Sequence, residues 1–164
     1  MLSKAMEKAL NEQINKEMYS SYFYLAMAAY LSEQFLDGMA KFFEVQAQEE
    51  MGHAMKIYKQ VNERGGRVVL EKIDKPQVDY KDVEEVFNLT LEHERFVTKS
   101  IHALVDLAIA ENDHASKSFL DWFVKEQVEE EATMENWVAK IKMVGSKGQA
   151  LLMLDAHAGK RGAN

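Results

Sequence analysis

Two sets of polar residues stand in the same register, 77 positions apart: Glu17, Glu50 and His53 map by one constant shift onto Glu94, Gln127 and Glu130. Each set lies where apolar residues belong. Phe43, Glu50 and Ile57 fall seven apart, as do Phe87, Glu94 and Ile101. The same spacing joins Leu120, Gln127 and Met134, and then Phe123, Glu130 and Trp137, while Glu17 sits between Leu10 and Tyr24. Glu50 and His53, three apart, share one helix face. Carboxylates on core stripes are costly unless they are paired or hold a metal. The pattern therefore requires helices that deliver all of these groups to one place.

The segment boundaries agree with that requirement. Residues 3 to about 33 read as an amphipathic helix with Ser3 as N-cap. A connector from Glu33 to Asp37 caps a second helix, Gly38 to about Arg64, which Gly65-Gly66 ends. Residues 65–82 hold the only proline, Pro76, and an extended-looking Arg67-Val68-Val69-Leu70. Eighteen extended residues reach ~60 Å, whereas a 27-residue helix spans ~40 Å. This segment is long enough to cross the bundle and set the third helix parallel to the second. Asp82 and Glu85 form a capping box for a third helix running to about Glu111. Asn112-Asp113 turn into a fourth, about His114 to Val144, and Gly145 and Gly148 precede a short fifth over 149–157 with the run Leu151-Leu152-Met153-Leu154. Phe42-Phe43-Glu44 and Phe119-Leu120-Asp121 extend the repeat. The expected architecture is all-α, one domain over 1–164: two helical hairpins joined by a crossover into a four-helix bundle, with a small fifth helix.

Composition narrows the chemistry. The absence of cysteine removes disulfides, iron–sulfur clusters, zinc ribbons and thiol catalysis. A net charge of −7 argues against a nucleic-acid surface and suits a protein that handles cations. Met1-Leu2-Ser3-Lys4 has no secretory apolar core, and the longest uncharged run, Met18 to Ser32, is 15 residues, short of a membrane span. A soluble, cytoplasmic protein is expected.

Glu17, Glu50, Glu94 and Glu130 together carry four negative charges, enough to neutralise two divalent cations. With His53 they offer several oxygens and one nitrogen, a mixture suited to iron or manganese. Carboxylates also bridge two ions, which favours a dinuclear site. The bland alternative is a structural bundle whose buried carboxylates pair with lysines. No Lys or Arg falls on these stripes at heptad spacing, which weighs against it. Tyr24, one heptad from Glu17, faces the same place. Glu49, Glu126 and Glu129 flank the main set and read equally well as solvated charges or helix–helix ion pairs.

The motifs Asn15-Lys16-Glu17-Met18-Tyr19-Ser20, Glu49-Glu50-Met51-Gly52-His53, His93-Glu94 and Glu126-Gln127-Val128-Glu129-Glu130 resemble those of the non-haem ferritins of bacteria and archaea across nearly the whole chain. The resemblance implies a ferritin-like bundle with a ferroxidase centre. One iron would lie on Glu17, Glu50 and His53, and the second on the bridging Glu50 with Glu94 and Glu130. Gln127 would be a hydrogen-bonding neighbour, and a third iron would fall on Glu49, Glu126 and Glu129 with Glu130 shared. Tyr24 matches a tyrosine near the centre for which electron transfer is one role. The implied activity is Fe(II) oxidation by O2 or H2O2 and mineral storage inside a homo-24-mer. Two alternatives stand beside it: a di-iron oxidase or peroxidase that stores nothing, and a haem-binding bacterioferritin. Met51 stands at the position of the bacterioferritin haem-ligating methionine, but Gln127-x-x-Glu130 replaces that family's second Glu-x-x-His.

Overall fold

The computed structural model describes residues 1–162; the last two positions of the expected 1–164 unit lie outside them. Five helices follow in order: α1 Lys4–Glu33, α2 Asp37–Glu63, α3 Val83–Ala110, α4 His114–Val144 and α5 Gln149–Ala158. No strand occurs among the described residues. α1–α2 and α3–α4 are antiparallel hairpins, and residues 64–82 carry the chain back along α1. The Asn11 amide donates to the Arg67 carbonyl and its oxygen accepts from the Val69 N–H. Asn15 donates to the Lys72 carbonyl, and Tyr80 stacks edge-on against Tyr30 near the other end of α1. The extended stretch at 67–70 is therefore not a strand; an asparagine side chain takes the place a neighbouring strand would have. Its course starts α3 beside the start of α2, so α2 and α3 run parallel as the loop length requires.

The helix ends show why the chain turns where it does. Ser3 accepts from the Met6 N–H and Asp113 from the Ser116 N–H, each satisfying a donor that α1 or α4 leaves open. At the end of α2, Gly65 takes a φ of 74°, with the Gly65 N–H on the Asn62 carbonyl and the Gly66 N–H on the Val61 carbonyl. That double bond pattern closes the helix in a left-handed residue. The ends of α1 and α3 use the same pattern, but with Phe35 at φ 60° and Asn112 at φ 55° in the left-handed position.

Two capping expectations need correction. Asp37 does not cap α2; it is the first helical residue, and Leu36 at the cap position offers no side-chain acceptor. The acceptor comes from α5, where Asp155 Oδ1 takes the Met39 N–H at 2.8 Å. At α3, Asp82 caps the Glu85 N–H as expected, but the Glu85 carboxylate reaches back to the Lys81 N–H, one residue short of a closed box.

The core is divided. One apolar cluster gathers Tyr24, Met27, Phe43, Phe87, Met134 and Trp137, together with Leu151 of α5. A second gathers Leu10, Ile14, Ile57, Ile101, Leu120 and Phe123. Between them, one heptad from each, lies a layer of buried polar groups: Gln13, Glu17, Gln46, Glu50, His53, Glu94, Gln127 and Glu130. Apolar packing above and below holds the bundle, and the polar layer in the middle is left for chemistry.

Candidate metal centre

All four core-stripe carboxylates are buried: Glu17 and Glu94 are 1% exposed, Glu50 2% and Glu130 6%. None is ion-paired by a Lys or Arg among the described residues. The structural bundle balanced by lysines is thereby set aside. Glu17, Glu50 and His53 each bring one ligand atom within 4.8 Å of the others. His53 Nδ1 lies 3.4 Å from Glu50 Oε2 and 3.9 Å from Glu17 Oε2.

Glu94 and Glu130 stand on the opposite hairpin and are held by donors. The buried Tyr24 hydroxyl donates to Glu94 Oε1, and Gln127 Nε2 donates to Glu94 Oε2 at 3.1 Å. Gln127 thus turns its amide nitrogen to Glu94, as a hydrogen-bonding neighbour would. Gln46 Nε2 donates to Glu130 Oε2 at 2.8 Å and approaches Glu50 Oε1 at 3.4 Å. The Gln46 amide therefore ties α2 to α4 across the centre.

Glu17 Oε2 and Gln46 Oε1 are buried with no hydrogen-bond donor. Orphaned acceptors around concentrated carboxylates are what a cation satisfies. Burial raises the carboxyls of Glu17, Glu50 and Glu94 above the usual carboxylate range. The neighbouring Glu50 charge adds to the rise at Glu17, and the Glu94 charge adds to it at Glu50. At Glu94, the hydrogen bonds from Tyr24 and Gln127 offset part of the effect. Glu130 is pushed up to about 7 by burial and by Glu94. Without metal the centre retains protons, and a bound cation displaces them.

The flanking acidic residues do not join the group. Glu49 and Glu129 are exposed and Glu126 is half-buried. Glu49 Oε2 accepts from Arg161 Nη2 at 2.6 Å, and the guanidinium lies over the Phe42 ring, 4.3 Å from its centroid.

Gln46 and Gln13 were missed from sequence, although both sit on the buried stripes one turn before a ligand. Trp122 was missed too: its indole meets the His53 ring edge-on at 5.3 Å, with Lys56 Nζ 4.4 Å above it. His93, given no role from sequence, packs edge-on to Tyr24 in an aromatic group with Tyr19 and Phe23. Burial lowers it to about 4, so it is a neutral wall of the site.

Fold and site together define a class of helical bundle: four long helices, a crossover, and a buried carboxylate–histidine centre, able to hold a metal ion, between two apolar cores. The comparisons with known proteins are specific about which one. The ferritin-like domain family matches residues 7–144. A bacterial non-heme ferritin of Campylobacter jejuni is 43% identical over 96% of this chain and 94% of its own length. Another, of Bacteroides fragilis, is 44% identical over 98% and 100%. The crystal structure of an open-pore ferritin from Archaeoglobus fulgidus superposes with a TM-score of 0.97 at 45% identity, covering 98% of this chain and 99% of that one. The chain belongs to the ferritin family.

Proposed function

We propose that this protein stores iron, oxidising Fe(II) at the buried centre and depositing the ferric product inside a hollow shell of identical subunits. The observation that carries the reading is the group of buried carboxylates with His53, paired with no Lys or Arg among the described residues and left with an orphaned oxygen on Glu17. Membership of the ferritin family and the non-heme ferritin names of its relatives support it.

Glu17, Glu50 and His53 would take the first Fe(II). Glu50 would bridge to the second, which Glu94 and Glu130 complete, while Gln127 orients Glu94 and Tyr24 donates to it. Each Fe(II) gives up one electron, and O2 or H2O2 accepts the pair; the chain supplies position and charge compensation while the redox chemistry is iron's. Glu49, Glu126 and Glu129 would receive a third iron at the exposed side, where Arg161 now engages Glu49. The whole chain acts as one ferritin-like unit, placed in the cytoplasm. No helix among the described residues is long and apolar enough to cross a membrane. Exposed Tyr22, Leu25, Met51 and Met55 on α1 and α2 give an apolar face suited to self-association, and twenty-four subunits is the number that the family resemblance implies.

The test is aerobic Fe(II) addition followed by size separation, reading iron per chain in the protein peak. Iron far beyond the capacity of two or three discrete sites, in a particle much larger than a dimer, is expected. Iron that stops at site stoichiometry in a small particle would identify a catalytic di-iron enzyme instead.

A further inference from the structure

Glu17 differs from the other centre carboxylates in that its donor is itself linked to a lysine outside the polar layer. Gln13, buried one turn earlier on α1, donates Nε2–H to Glu17 Oε1 at 2.7 Å. Gln13 Oε1 accepts from Ser100 Oγ of α3 at 2.6 Å, and Ser100 Oγ accepts from Lys16 Nζ at 2.7 Å. With Glu17 ionised, as a metal ligand must be, the direction of this chain is fixed. An ammonium only donates, so the single Ser100 proton points inward to Gln13. The Gln13 oxygen must then face Ser100 and its NH2 must face Glu17. A flipped amide would set its oxygen against the carboxylate. Glu17 Oε1 is thereby committed, and Oε2, buried without a donor, is the oxygen left towards His53.

We infer that Lys16, Ser100 and Gln13 form a positioning relay that makes Glu17 present one chosen oxygen, Oε2, to the metal shared with His53. This rests on the centre proposed above and adds how one of its two ions is selected and held. Lys16 and Ser100 are only partly buried, on two different helices, and neither side chain hydrogen-bonds a proposed metal ligand directly. The relay joins α1 to α3, so the orientation of Glu17 depends on the packing of the two hairpins. Glu94 and Glu130 take their donors from Tyr24, Gln127 and Gln46, and have no comparable hydrogen-bonded link to a surface cation among the described residues.

The experiment is an anaerobic calorimetric titration of the assembled protein with Co(II), read together with the visible absorption of the bound ion. Ser100→Ala should weaken one of the two ions by roughly 10- to 100-fold, the usual effect of removing a group that orients a ligand. It should leave the second ion much closer to wild type. The Co(II) spectrum of the weakened site should change, because Glu17 is free to rotate or to offer both oxygens. Ser100→Thr keeps the hydroxyl and should restore both readouts, and Lys16→Met should shift affinity in the same direction by less. Wild-type affinities and spectrum in Ser100→Ala, or a Thr variant as weak as the Ala variant, would overturn the relay even if the melting temperature falls. A wild-type protein that binds no Co(II) would instead overturn the centre itself, and the relay with it.

Discussion

Glu50 is the residue on which both proposed ions depend: it lies 3.4 Å from His53 Nδ1 and feels the charges of Glu94 and Glu130. Glu50→Ala should abolish fast Fe(II) oxidation in stopped-flow absorbance while the bundle persists; unchanged kinetics would remove Glu50 from the centre. The retained protons give a second prediction. Glu130 rises from 4.5 to about 7 on folding. A raised carboxyl means that the folded, metal-free chain binds more protons than the unfolded chain between those values, so stability falls as pH climbs across that window. Glu130 alone contributes on the order of 3 kcal/mol to this loss. Melting in the presence of chelator should therefore give a higher Tm near pH 5 than near pH 7, and Glu130→Gln should flatten the slope. A Tm that rises over the same interval would contradict the assignment. The charged residues of the proposed centre were legible in the sequence because each breaks an apolar stripe and has a polar counterpart at the same shift. Gln13 and Gln46 break stripes too, but they are neutral and their counterparts 77 positions on are Thr90 and Phe123, so no repeat exposed them.

At the scale of the helices, local chemistry explains most of what was legible, and long-range contacts explain the rest. Ser3, Asp82 and Asp113 cap the residues that follow them, so α1, α3 and α4 could be placed from sequence. The start of α2 was placed within one residue, but its capping acceptor could not be, because that acceptor is Asp155, 116 residues from Met39. That contact needs the backbones of α2 and α5 to touch at Gly38, where an added Cβ would meet the Asp155 carbonyl oxygen at 1.9 Å. Gly38→Ala should cost roughly 1–3 kcal/mol and loosen α5, read as a lower Tm and faster amide exchange over 149–158. The three left-handed helix ends suggest the opposite kind of change. Phe35 is 88% exposed and holds the position that Gly65 and Asn112 hold elsewhere. Phe35→Asn, copying the end of α3, should raise stability by about 1 kcal/mol in a thermal melt. No gain would mean that a contact of the phenyl ring in the assembly offsets the strain.

Across the whole molecule, two apolar cores meet at an acidic layer, to which α1–α2 supplies Gln13, Glu17, Gln46, Glu50 and His53 and α3–α4 supplies Glu94, Gln127 and Glu130. The covalent link between the halves is the crossover, whose residues 69–75 are exposed and which is held on α1 by Glu7, Asn11, Asn15 and Tyr30. A single cut after Lys72 would turn the subunit into two fragments, one carrying Glu17, Glu50 and His53 and the other Glu94, Gln127 and Glu130. Neither fragment has a complete core, so each is the other's folding partner. Reconstituting the centre from separately made fragments would then be a bimolecular event. The fraction of working centres would depend on fragment concentration, and added metal would draw the fragments together.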